Sequence, residues 1–381
     1  MRRPLVLAVV AVAGLVPLVA AFQLAQSNNT TNQSAVPQLI DEVRQALSDG
    51  YYRSLPQSVL GLTSVDDMIS ALRDPYTAYL GANEYKLLQH ETASTYSGVG
   101  VGLLPSTRGL VVASLHAGGP ASNAGIRVGD TIVAVNGQPV VGLSVAEAIT
   151  HFSGPVGSRV HIELLRAGES LGFTVRRAVV HAPTVESRLV SFTGRRWGVV
   201  HLSTFNFGAT PVVAHEIKRL QSAGARGIVL DLRGNPGGLF TQAVSVASLF
   251  LSHGVIVSVI GLHHPLQVLH AHPGVITKLP VVVLVDRYTA SSAEIVAAAL
   301  GENHRATVVG ERTYGKALVQ AVDPLANGDA LELTVARYYT PLGEDISSRG
   351  VVPQIRAVND PRTRTDEALT AALRALARPK S

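Results

Sequence analysis

The chain has 381 residues, 46% of them hydrophobic and only 15% charged, so it is too apolar for a disordered protein and long enough for two or three domains. Its formal net charge is +5, but no basic stripe or zinc-finger spacing accompanies that charge, which argues against nucleic-acid binding. Because the chain contains no cysteine, disulfides, iron–sulfur clusters and cysteine nucleophiles are excluded.

The N-terminus has the pattern of an export signal. Arg2 and Arg3 precede an apolar run over residues 5–22, which is long enough for either a signal peptide or a membrane helix. The pattern predicts a signal peptide or anchor over residues 1–25, followed by a polar linker over residues 26–36. We therefore expect the folded part outside the cytoplasm, in the periplasm or cell envelope, and leave cleavage and anchoring as open alternatives.

The first folded region is predicted to be helical. Residues 37–52 and 64–72 have helical patterns of apolar residues, and Ser64 stands where an N-cap is expected. These patterns predict a helical N-terminal region over residues 37–95.

Short strand-like runs follow over residues 96–179. Residues 110–115 and 131–135 are such runs, and the second ends at the turn pair Asn136-Gly137. The pattern predicts a small, mainly β domain.

Alternating strands and helices are predicted over residues 180–358. Apolar runs at 227–232, 255–260 and 281–285 indicate stacked β/α units around one mostly buried sheet. A closing amphipathic helix and tail are predicted over residues 359–381.

Two serines lie at a predicted strand-to-helix turn. An apolar strand ends before Asp286 and an alanine-rich helix follows, so Ser291 or Ser292 would meet the backbone N–H groups and dipole of a helix start. Negative charge is favoured there. Without a nearby base, both serines would only cap the helix. The chain has no G-x-S-x-G sequence, which argues against the usual serine–histidine–acid arrangement.

Lys316 is the candidate base. A buried lysine loses its proton more readily and can then accept one from a serine. Lys316 and Gln320 are four residues apart, so on a strand they would share one face, and Gln320 could orient the amine. The alternative is an ordinary solvated lysine in a glycine-flanked turn.

The segment DLRGNPGG, residues 231–238, can bring backbone close to a substrate. Gly237 and Gly238 could supply N–H donors to an oxyanion. Asp231 and Arg233 are interpreted equally well as a structural ion pair.

Four histidines fall within residues 263–272. A metal site would need an acidic ligand or a fixed helical spacing, and neither accompanies them, so an exposed hairpin is favoured. No metal or cofactor is predicted.

The segments above resemble the C-terminal processing peptidases, or tail-specific proteases, which are serine–lysine endopeptidases with a PDZ domain. The resemblance runs from about residue 37 to residue 358. Its motifs are DPYTAYL at 74–80, PTVES at 183–187, DLRGNPGG at 231–238, TASSAEI at 289–295, GERTYGKALVQ at 310–320 and the segment at 333–355.

The resemblance implies a multidomain α+β and α/β fold. A PDZ domain over residues 96–179 would be inserted between the helical N-terminal region and a crotonase-like α/β serine protease core over residues 180–358.

The resemblance also assigns the site. Ser291 would be the nucleophile, Lys316 the general base and Gln320 its helper. The oxyanion hole would be formed by Gly237 or Gly238 together with the N–H of Ser292. Where the family usually reads S-A-S-E, residues 291–294 read S-S-A-E.

In the PDZ region, the loop Gly98, Val99, Gly100 and Val101 would direct N–H groups at the carboxylate of a substrate C-terminus, and the following strand would pair with the peptide. A phosphate-binding loop is the alternative interpretation, but the G-x-G-x-x-G spacing is missing.

The implied activity is hydrolysis of exported proteins near or from their C-termini through an acyl-enzyme. The expected partners are proteins or peptides with free C-termini and, through the N-terminal segment, the membrane; an adaptor protein and a homo-oligomer are left open. The alternative is a catalytically silent envelope PDZ adaptor that binds protein C-termini. A crotonase-like acyl-CoA enzyme would be cytoplasmic and lack a PDZ region, which the predicted export segment contradicts.

Overall fold

The computed structural model describes residues 10–11, 35–92, 95–116, 118–143, 145–181, 184–360, 362–363 and 365–378. It divides into two compact units, one of Met1–Tyr85 with Thr184–Ser381 and one of Lys86–Pro183. The predicted export segment lies outside the described residues except for a two-residue strand, β1, Val10–Ala11. Among the described residues, no helix combines the length and apolar character needed to cross a membrane.

Helices dominate the described N-terminal region, as predicted; the last of them, α4, crosses from the larger unit into the smaller one. The elements are α1 Ala35–Gly50, α2 Gln57–Leu60, α3 Val65–Leu72, β2 Ala78–Leu80 and α4 Ala82–Thr92. Ser64 is the N-cap of α3, and its side chain accepts a hydrogen bond from the N–H of Asp67 at 3.4 Å. The apolar faces of α1 and α3 bury Val43, Leu47 and Met68 in the main core.

The smaller unit is mainly β. Its elements are β3 Thr95–Gly98, β4 Val101–Ser106, β5 Gly109–Leu115, α5 Pro120–Asn123, β6 Thr131–Val135, β7 Gln138–Pro139, α6 Val145–Phe152, β8 Arg159–Arg166, β9 Glu169–Arg176 and β10 Ala178–His181. An antiparallel sheet runs in the order β4-β5-β6-β8-β9, and β7 pairs with β6. The predicted turn is present, since Asn136 and Gly137 have φ values of 49° and 74°. A separate apolar core fills this unit.

The larger unit continues with two sheets. Its strands are β11 Val185–Phe192, β12 Arg195–Leu202, β13 Ile228–Asp231, β14 Gly238–Leu239, β15 Val255–Ile260, β16 Gln267–His270, β17 Val281–Val285, β18 Ala306–Gly310, β19 Leu318–Pro324, β20 Ala330–Tyr339 and β21 Ile355–Arg356. Its helices are α7 Ala209–Ser222, α8 Phe240–Ser248, α9 Ser292–Glu302 and α10 Glu367–Ala377. The short strand β14 pairs with β1.

One sheet, in the order β11-β12-β13-β17-β18-β21, is parallel from β12 onward and is covered on both faces. Alternate residues of β13 belong to different cores: Ile228 and Leu230 pack with α7, α8 and α9, whereas Val229 packs with α10. This arrangement explains why its strands are continuous apolar runs.

The prediction of one sheet is wrong for residues 255–260. This segment, β15, pairs antiparallel with β16 and β20 in a second sheet of order β16-β15-β20-β19, with β2 added at β20. The apolar run looks like a parallel core strand because its middle is buried, while Ile260 at its end is exposed. Which sheet the strand joins depends on partners that are distant in sequence.

Candidate active site

Ser291 occupies the turn between β17 and α9. Its φ of 54° and ψ of −119° lie in a region that residues with a side chain rarely adopt, at a cost of about 1–3 kcal/mol. The residue is fully buried, and among the described residues its Oγ has no hydrogen-bond partner. The strained turn therefore presents a hydroxyl at the start of a helix, where the sequence predicts it.

A single carboxylate holds the backbone of both predicted catalytic residues. Glu294 accepts hydrogen bonds from the N–H groups of Ser291 at 2.8 Å and Lys316 at 2.9 Å. It also accepts from the Gly315 N–H at 2.8 Å and from the Thr313 hydroxyl. Burial raises the pKa of Glu294, and these hydrogen bonds oppose that rise. The bridge keeps the 291 turn and the 316 loop together.

Tyr338 on β20 provides a second clamp. Its hydroxyl donates toward the carbonyl oxygens of Lys316 at 2.6 Å and Ser291 at 3.2 Å. Neither Tyr338 nor Glu294 is among the residues that the sequence predicts for the site. Glu294 stands three residues after Ser291, the spacing of a helix-capping glutamate, so a signal for it existed.

The segment of residues 231–238 lies against the Ser291 turn. The Asn235 carbonyl accepts from the N–H of Ala290 at 2.9 Å, and the Leu232 carbonyl accepts from Thr289 Oγ1 at 2.9 Å. The Asn235 amide group also donates to the Leu202 carbonyl at 2.8 Å. These bonds fix the glycines that follow.

Gly237 approaches Ser291 so closely that only glycine fits. A Cβ there would lie 2.9 Å from the Ser291 Cβ, and the φ of 112° also disfavours a side chain. The Gly237 N–H donates to Asn235 Oδ1 at 2.8 Å. The Ser292 hydroxyl donates to the Gly238 carbonyl at 2.9 Å. The predicted oxyanion-hole residues are thus assembled beside Ser291.

Lys316 lies in the loop before β19, so the prediction that Lys316 and Gln320 share one face of a strand is wrong. The strand begins at Leu318, and its register shifts between Val319 and Gln320. Alternation along a strand therefore cannot relate the two side chains.

The Lys316 side chain is buried, with 2% of its surface exposed, which contradicts the alternative of a solvated surface lysine. Burial lowers its pKa to about 8, while the negative charges of Glu332, Asp74 and Glu294 oppose that fall. Its Nζ lies 4.7 Å from the centre of the Tyr76 ring. The site therefore favours a neutral amine far more than water does.

Tyr76 connects Lys316 with Gln320. The Gln320 side chain is 1% exposed, and its Nε2 donates to the Tyr76 carbonyl at 2.5 Å. Its Oε1 is buried and has no hydrogen-bond partner among the described residues. Asp74 shapes this turn by accepting from the Tyr76 N–H at 3.0 Å and the Thr77 hydroxyl at 2.9 Å. The N-terminal motif at residues 74–80 thus forms part of the lysine's surroundings.

Asp231 and Arg233 form the structural ion pair that was one of the two interpretations. Arg233 donates to both Asp231 oxygens, at 2.9 and 2.7 Å, and to both Asp366 oxygens, at 2.8 and 2.9 Å. Asp366 is also the N-cap of α10. The pair ties the loop to the C-terminal helix.

In the smaller unit, Gly98, Val99, Gly100 and Val101 join β3 to β4. Gly100 has a φ of 77°, and β4 pairs only with β5 among the described strands, so its other edge is open. The carbonyl groups of Val99 and Gly100 accept hydrogen bonds from Ala121 at 2.8 Å and His116 at 3.0 Å. A bent loop beside an open edge suits binding of an extended peptide end.

The histidines at 263, 264, 270 and 272 lie in and around the β15–β16 hairpin. Within the described part of the chain, no three His, Asp or Glu side chains are grouped to hold a metal ion.

The chain is similar to known proteins in both of its units. Peptidase family S41 matches residues 196–357, and the PDZ domain matches residues 111–166. The carboxyl-terminal-processing protease of Synechocystis is 37% identical over 296 residues, covering 76% of this chain and 69% of the relative. The carboxy-terminal processing protease CtpA of Bacillus subtilis is 33% identical over 336 residues, covering 88% and 71%.

Among solved structures, the photosystem II D1 C-terminal processing protease is similar, with a TM-score of 0.56 and 30% identity, covering 90% of this chain and 98% of that protein. The predicted fold class is confirmed, since a PDZ domain precedes the protease domain and the N-terminal region is helical. The chain therefore belongs to peptidase family S41 and, within it, to the carboxyl-terminal-processing proteases.

Proposed function

We propose that the protein is a serine endopeptidase in which Ser291 is the nucleophile and Lys316 the general base. The observation that carries this proposal is the shared clamp: Glu294 and Tyr338 bond the backbones of both residues. A fully buried serine hydroxyl and a buried lysine with a lowered pKa then belong to one rigid cluster. Structural serines and lysines have no need of this arrangement.

In the proposed reaction, the neutral Lys316 amine takes the Ser291 Oγ proton as Oγ attacks the scissile carbonyl carbon. The resulting ammonium gives that proton to the leaving nitrogen, the C–N bond breaks, and an acyl-enzyme remains. The amine next takes a proton from water, whose oxygen attacks the ester carbonyl carbon. As the bond from that carbon to Ser291 Oγ breaks and the product acid leaves, the ammonium returns the proton to Ser291 Oγ. The bond of Gln320 Nε2 to the Tyr76 carbonyl leaves its buried Oε1 without a partner among the described residues, so that Oε1 could accept a hydrogen bond from the amine during the reaction.

The oxyanion of each tetrahedral intermediate is proposed to bind backbone N–H groups beside Ser291. The Ser292 N–H is one donor, and Gly238 or Gly237 is the other. Because the Gly237 N–H already bonds to the Asn235 side chain, use of Gly237 would require that bond to be exchanged for the oxyanion.

Recognition of substrates is assigned to the PDZ domain. The Gly98–Val101 loop would bind the terminal carboxylate, and β4 would pair with the last residues of the substrate through its open edge. A peptide acid should bind better than the same peptide amide, with a Kd of roughly micromolar size. Equal affinity of acid and amide, measured by fluorescence anisotropy, would remove the carboxylate role.

The alternative, a catalytically silent PDZ adaptor, predicts binding without turnover. That alternative gives no reason for a strained turn at Ser291 whose hydroxyl lacks a hydrogen-bond partner among the described residues and lies in a cluster with a buried lysine.

Mutation and active-site labelling test the assignment. With an unstructured protein ending in apolar residues as substrate, Ser291→Ala, Lys316→Ala and Lys316→Arg should each lower kcat/KM by about 1,000-fold or more. Ser291→Ala should also lose labelling by a fluorophosphonate. Ser292→Ala should lower kcat/KM less than Ser291→Ala does, because the N–H of residue 292 remains and only the side-chain bond to the Gly238 carbonyl disappears. An inactive Ser292→Ala beside an active Ser291→Ala would move the nucleophile by one residue.

A further inference from the structure

A large cavity lies in the larger unit, at the edge of the parallel sheet where the strands begin. Its volume is about 1650 Å³, and its walls come from the starts of β12, β17, β18 and β21, the residues just before β13, and the C-terminal end of α10. The proposed nucleophile, Ser291, follows the end of β17 at the opposite edge. The reaction described above therefore leaves this cavity without a role.

All charged side chains of the described lining are basic. They are Arg195, Arg196, Arg226, His304, Arg305 and Arg378, and no Asp or Glu stands among the described residues of the cavity wall. The whole chain has 32 Lys and Arg against 27 Asp and Glu, so five arginines without an acid are a marked local excess. A concave surface lined by one sign of charge attracts ligands of the opposite sign.

Backbone pairing places two of these arginines side by side. The Arg226 N–H donates to the Arg196 carbonyl at 2.8 Å, just before the parallel pairing of Gly198 with Ile228. The Arg196 guanidinium lies at the end of α7, since a Cβ on Gly224 would be 2.5 Å from its Nη2. Adjacent strands are only about 4.8 Å apart, so both arginines can reach one ligand.

Arg305 is fixed at the β18 side of the cavity. Its Nε donates to the Phe250 carbonyl at 2.9 Å, and its Nη2 donates to the carbonyls of Thr277 at 2.9 Å and Leu279 at 3.0 Å. These bonds leave Nη1 without a hydrogen-bond partner among the described residues. A guanidinium held in this way is already ordered before a ligand binds.

The other four arginines lack the partners that arginines have elsewhere in the chain. Arg166 and Arg233 each pair with an aspartate at 2.7 Å. Arginines also collect at helix C-termini, and α7, α9 and α10 end at this edge. In the described part of the chain, however, neither an ion pair nor a side-chain hydrogen bond to a helix end is formed by Arg195, Arg196, Arg226 and Arg378.

Size and chemistry favour an extended acidic peptide as the ligand. Sites for small molecules usually have about 300–1000 Å³, so this cavity is larger than one small ligand needs. From β12 to β18 the sheet edge spans about 14 Å, the length of about four extended residues. Guanidinium groups pair well with carboxylates. A nucleic-acid strand would need an exposed aromatic ring for stacking, but Trp197, the one aromatic residue of the described lining, is 1% exposed.

We propose that this cavity binds a segment rich in Asp and Glu that belongs to a protein partner. The proposal goes beyond the catalytic assignment and does not depend on it. A partner held here by charge would bind more tightly wherever else the enzyme contacts it.

Anisotropy titration of the full chain with a labelled, glutamate-rich peptide tests the proposal. The peptide is amidated at its C-terminus to avoid carboxylate recognition, and Ser291→Ala is present throughout to prevent cleavage. Combining Arg196→Gln with Arg226→Gln should raise the Kd by about tenfold at low salt. The matched control combines Arg188→Gln with Arg374→Gln, which removes the same charge from exposed arginines outside the cavity. The control should change the Kd by less than about twofold.

Trp197 supplies a local readout, because it is the only tryptophan of the chain and lies in the cavity wall. Its emission should change with the same Kd, and should stay constant when a peptide with Gln in place of every Glu is added. No binding of the acidic peptide, or equal weakening in both double variants, overturns the inference.

Two further measurements complete the test. If the first double variant does not fold, Arg195→Gln combined with Arg378→Gln removes two charges from the same cavity, and the same tenfold loss is expected. Tripolyphosphate is the competing ligand: a change in Trp197 emission with tripolyphosphate and none with the peptide would make the cavity a phosphate site and refute the peptide proposal. Because Ser291→Ala is present throughout, failure of the proposed catalytic function would not alter these results.

Discussion

Ser291 combines three properties that seldom coincide in a serine: a positive φ, complete burial and an Oγ without a partner among the described residues. The chain lacks a G-x-S-x-G sequence, yet the strand-to-helix turn at Ser291 is strained as the turn of that motif is. Bonds from Glu294 and Tyr338 hold the strain in place. The strained conformation of Ser291 therefore depends on neighbours that bond to its backbone.

The ionisation of Lys316 predicts how activity depends on pH. In the proposed mechanism the neutral amine is the base, so kcat/KM should rise as pH increases through about 8 and fall below it, because burial lowers the lysine pKa to that value. Rates of hydrolysis of an unstructured protein, measured across pH, check this. Thermal unfolding at each pH controls for loss of fold. An acid limb that survives unchanged in Lys316→Arg would contradict the assignment of the base.

Replacing Glu294 by Gln tests the carboxylate clamp. Four donors bond to the two carboxylate oxygens of Glu294, and a glutamine side chain offers only one oxygen to accept them. We therefore expect kcat/KM to fall by about 10- to 100-fold, as it does when other residues that orient catalytic groups are replaced. The free energy of unfolding should fall by about 1.5–3 kcal/mol.

The matched control for this clamp is Glu302→Gln, at the other end of the same helix. Glu302 accepts from the Leu342 N–H at 2.8 Å, far along α9 from the turn. Its replacement should lower stability without a comparable loss of kcat/KM. Equal losses of activity in both variants would show that Glu294 acts only through the stability of α9.

At the scale of elements, β4 and the loop before it form the peptide-binding edge proposed for the PDZ domain. Gly100→Ala should weaken binding of a peptide acid by about tenfold. Its φ of 77° disfavours a side chain, and a Cβ would lie 3.1 Å from the Cβ of His116. Gly168→Ala is the control, because Gly168 has a φ of 90° but open space around it, in the turn between β8 and β9. Anisotropy titrations should show reduced affinity in the first variant alone; equal affinity in both would exclude the loop from binding.

At the scale of the molecule, Arg233 connects the site loop to α10, which lies 133 residues further along the chain. Arg233→Met would leave the Asp231 and Asp366 carboxylates uncompensated, so the free energy of unfolding should fall by about 3–5 kcal/mol. Burial would raise the pKa of Asp366, but the bond from Arg233 holds it below its usual value. The stabilising effect is therefore present at neutral pH and lost as pH falls below about 4.

Denaturant unfolding at neutral and acid pH measures this effect. The Arg362–Asp360 pair provides the control, because its N–O distance of 2.7 Å equals that of the Arg233–Asp231 pair. The two pairs differ in exposure: the Arg362 side chain is 87% exposed and the Arg233 side chain 19%. Arg362→Met should change stability little, because water screens an exposed pair. Similar losses in both variants would show that burial is not the deciding factor.

The proposed location outside the cytoplasm depends on the N-terminal segment. An alkaline phosphatase reporter fused after Ser34 should be active, and a fluorescent reporter that folds only in the cytoplasm should be dark. The opposite pattern would refute export. N-terminal sequencing of the mature protein separates a cleaved signal from a retained anchor.

Much of the site could be predicted from local sequence. Ser291 follows a buried strand and precedes an alanine-rich helix, and such a strand-to-helix turn depends on neighbouring residues only. Lys316, Gln320 and the glycine loop were assigned from motifs. The spacing from Ser291 marks Glu294 as a helix-capping residue. No local pattern shows that its carboxylate also accepts a hydrogen bond from the N–H of Lys316, 22 residues further along the chain.

The sequence by itself determined the order of the domains, the core strands Ile228–Asp231 and Val281–Val285, and the residues proposed as nucleophile and base, since these depend on periodicity and short motifs. Only the tertiary structure decided that β15 joins a second sheet and that Tyr338 and Tyr76 contact the site. These relations join residues brought together by packing. A burial-induced pKa shift likewise depends on every element that excludes water, so no local pattern encodes it.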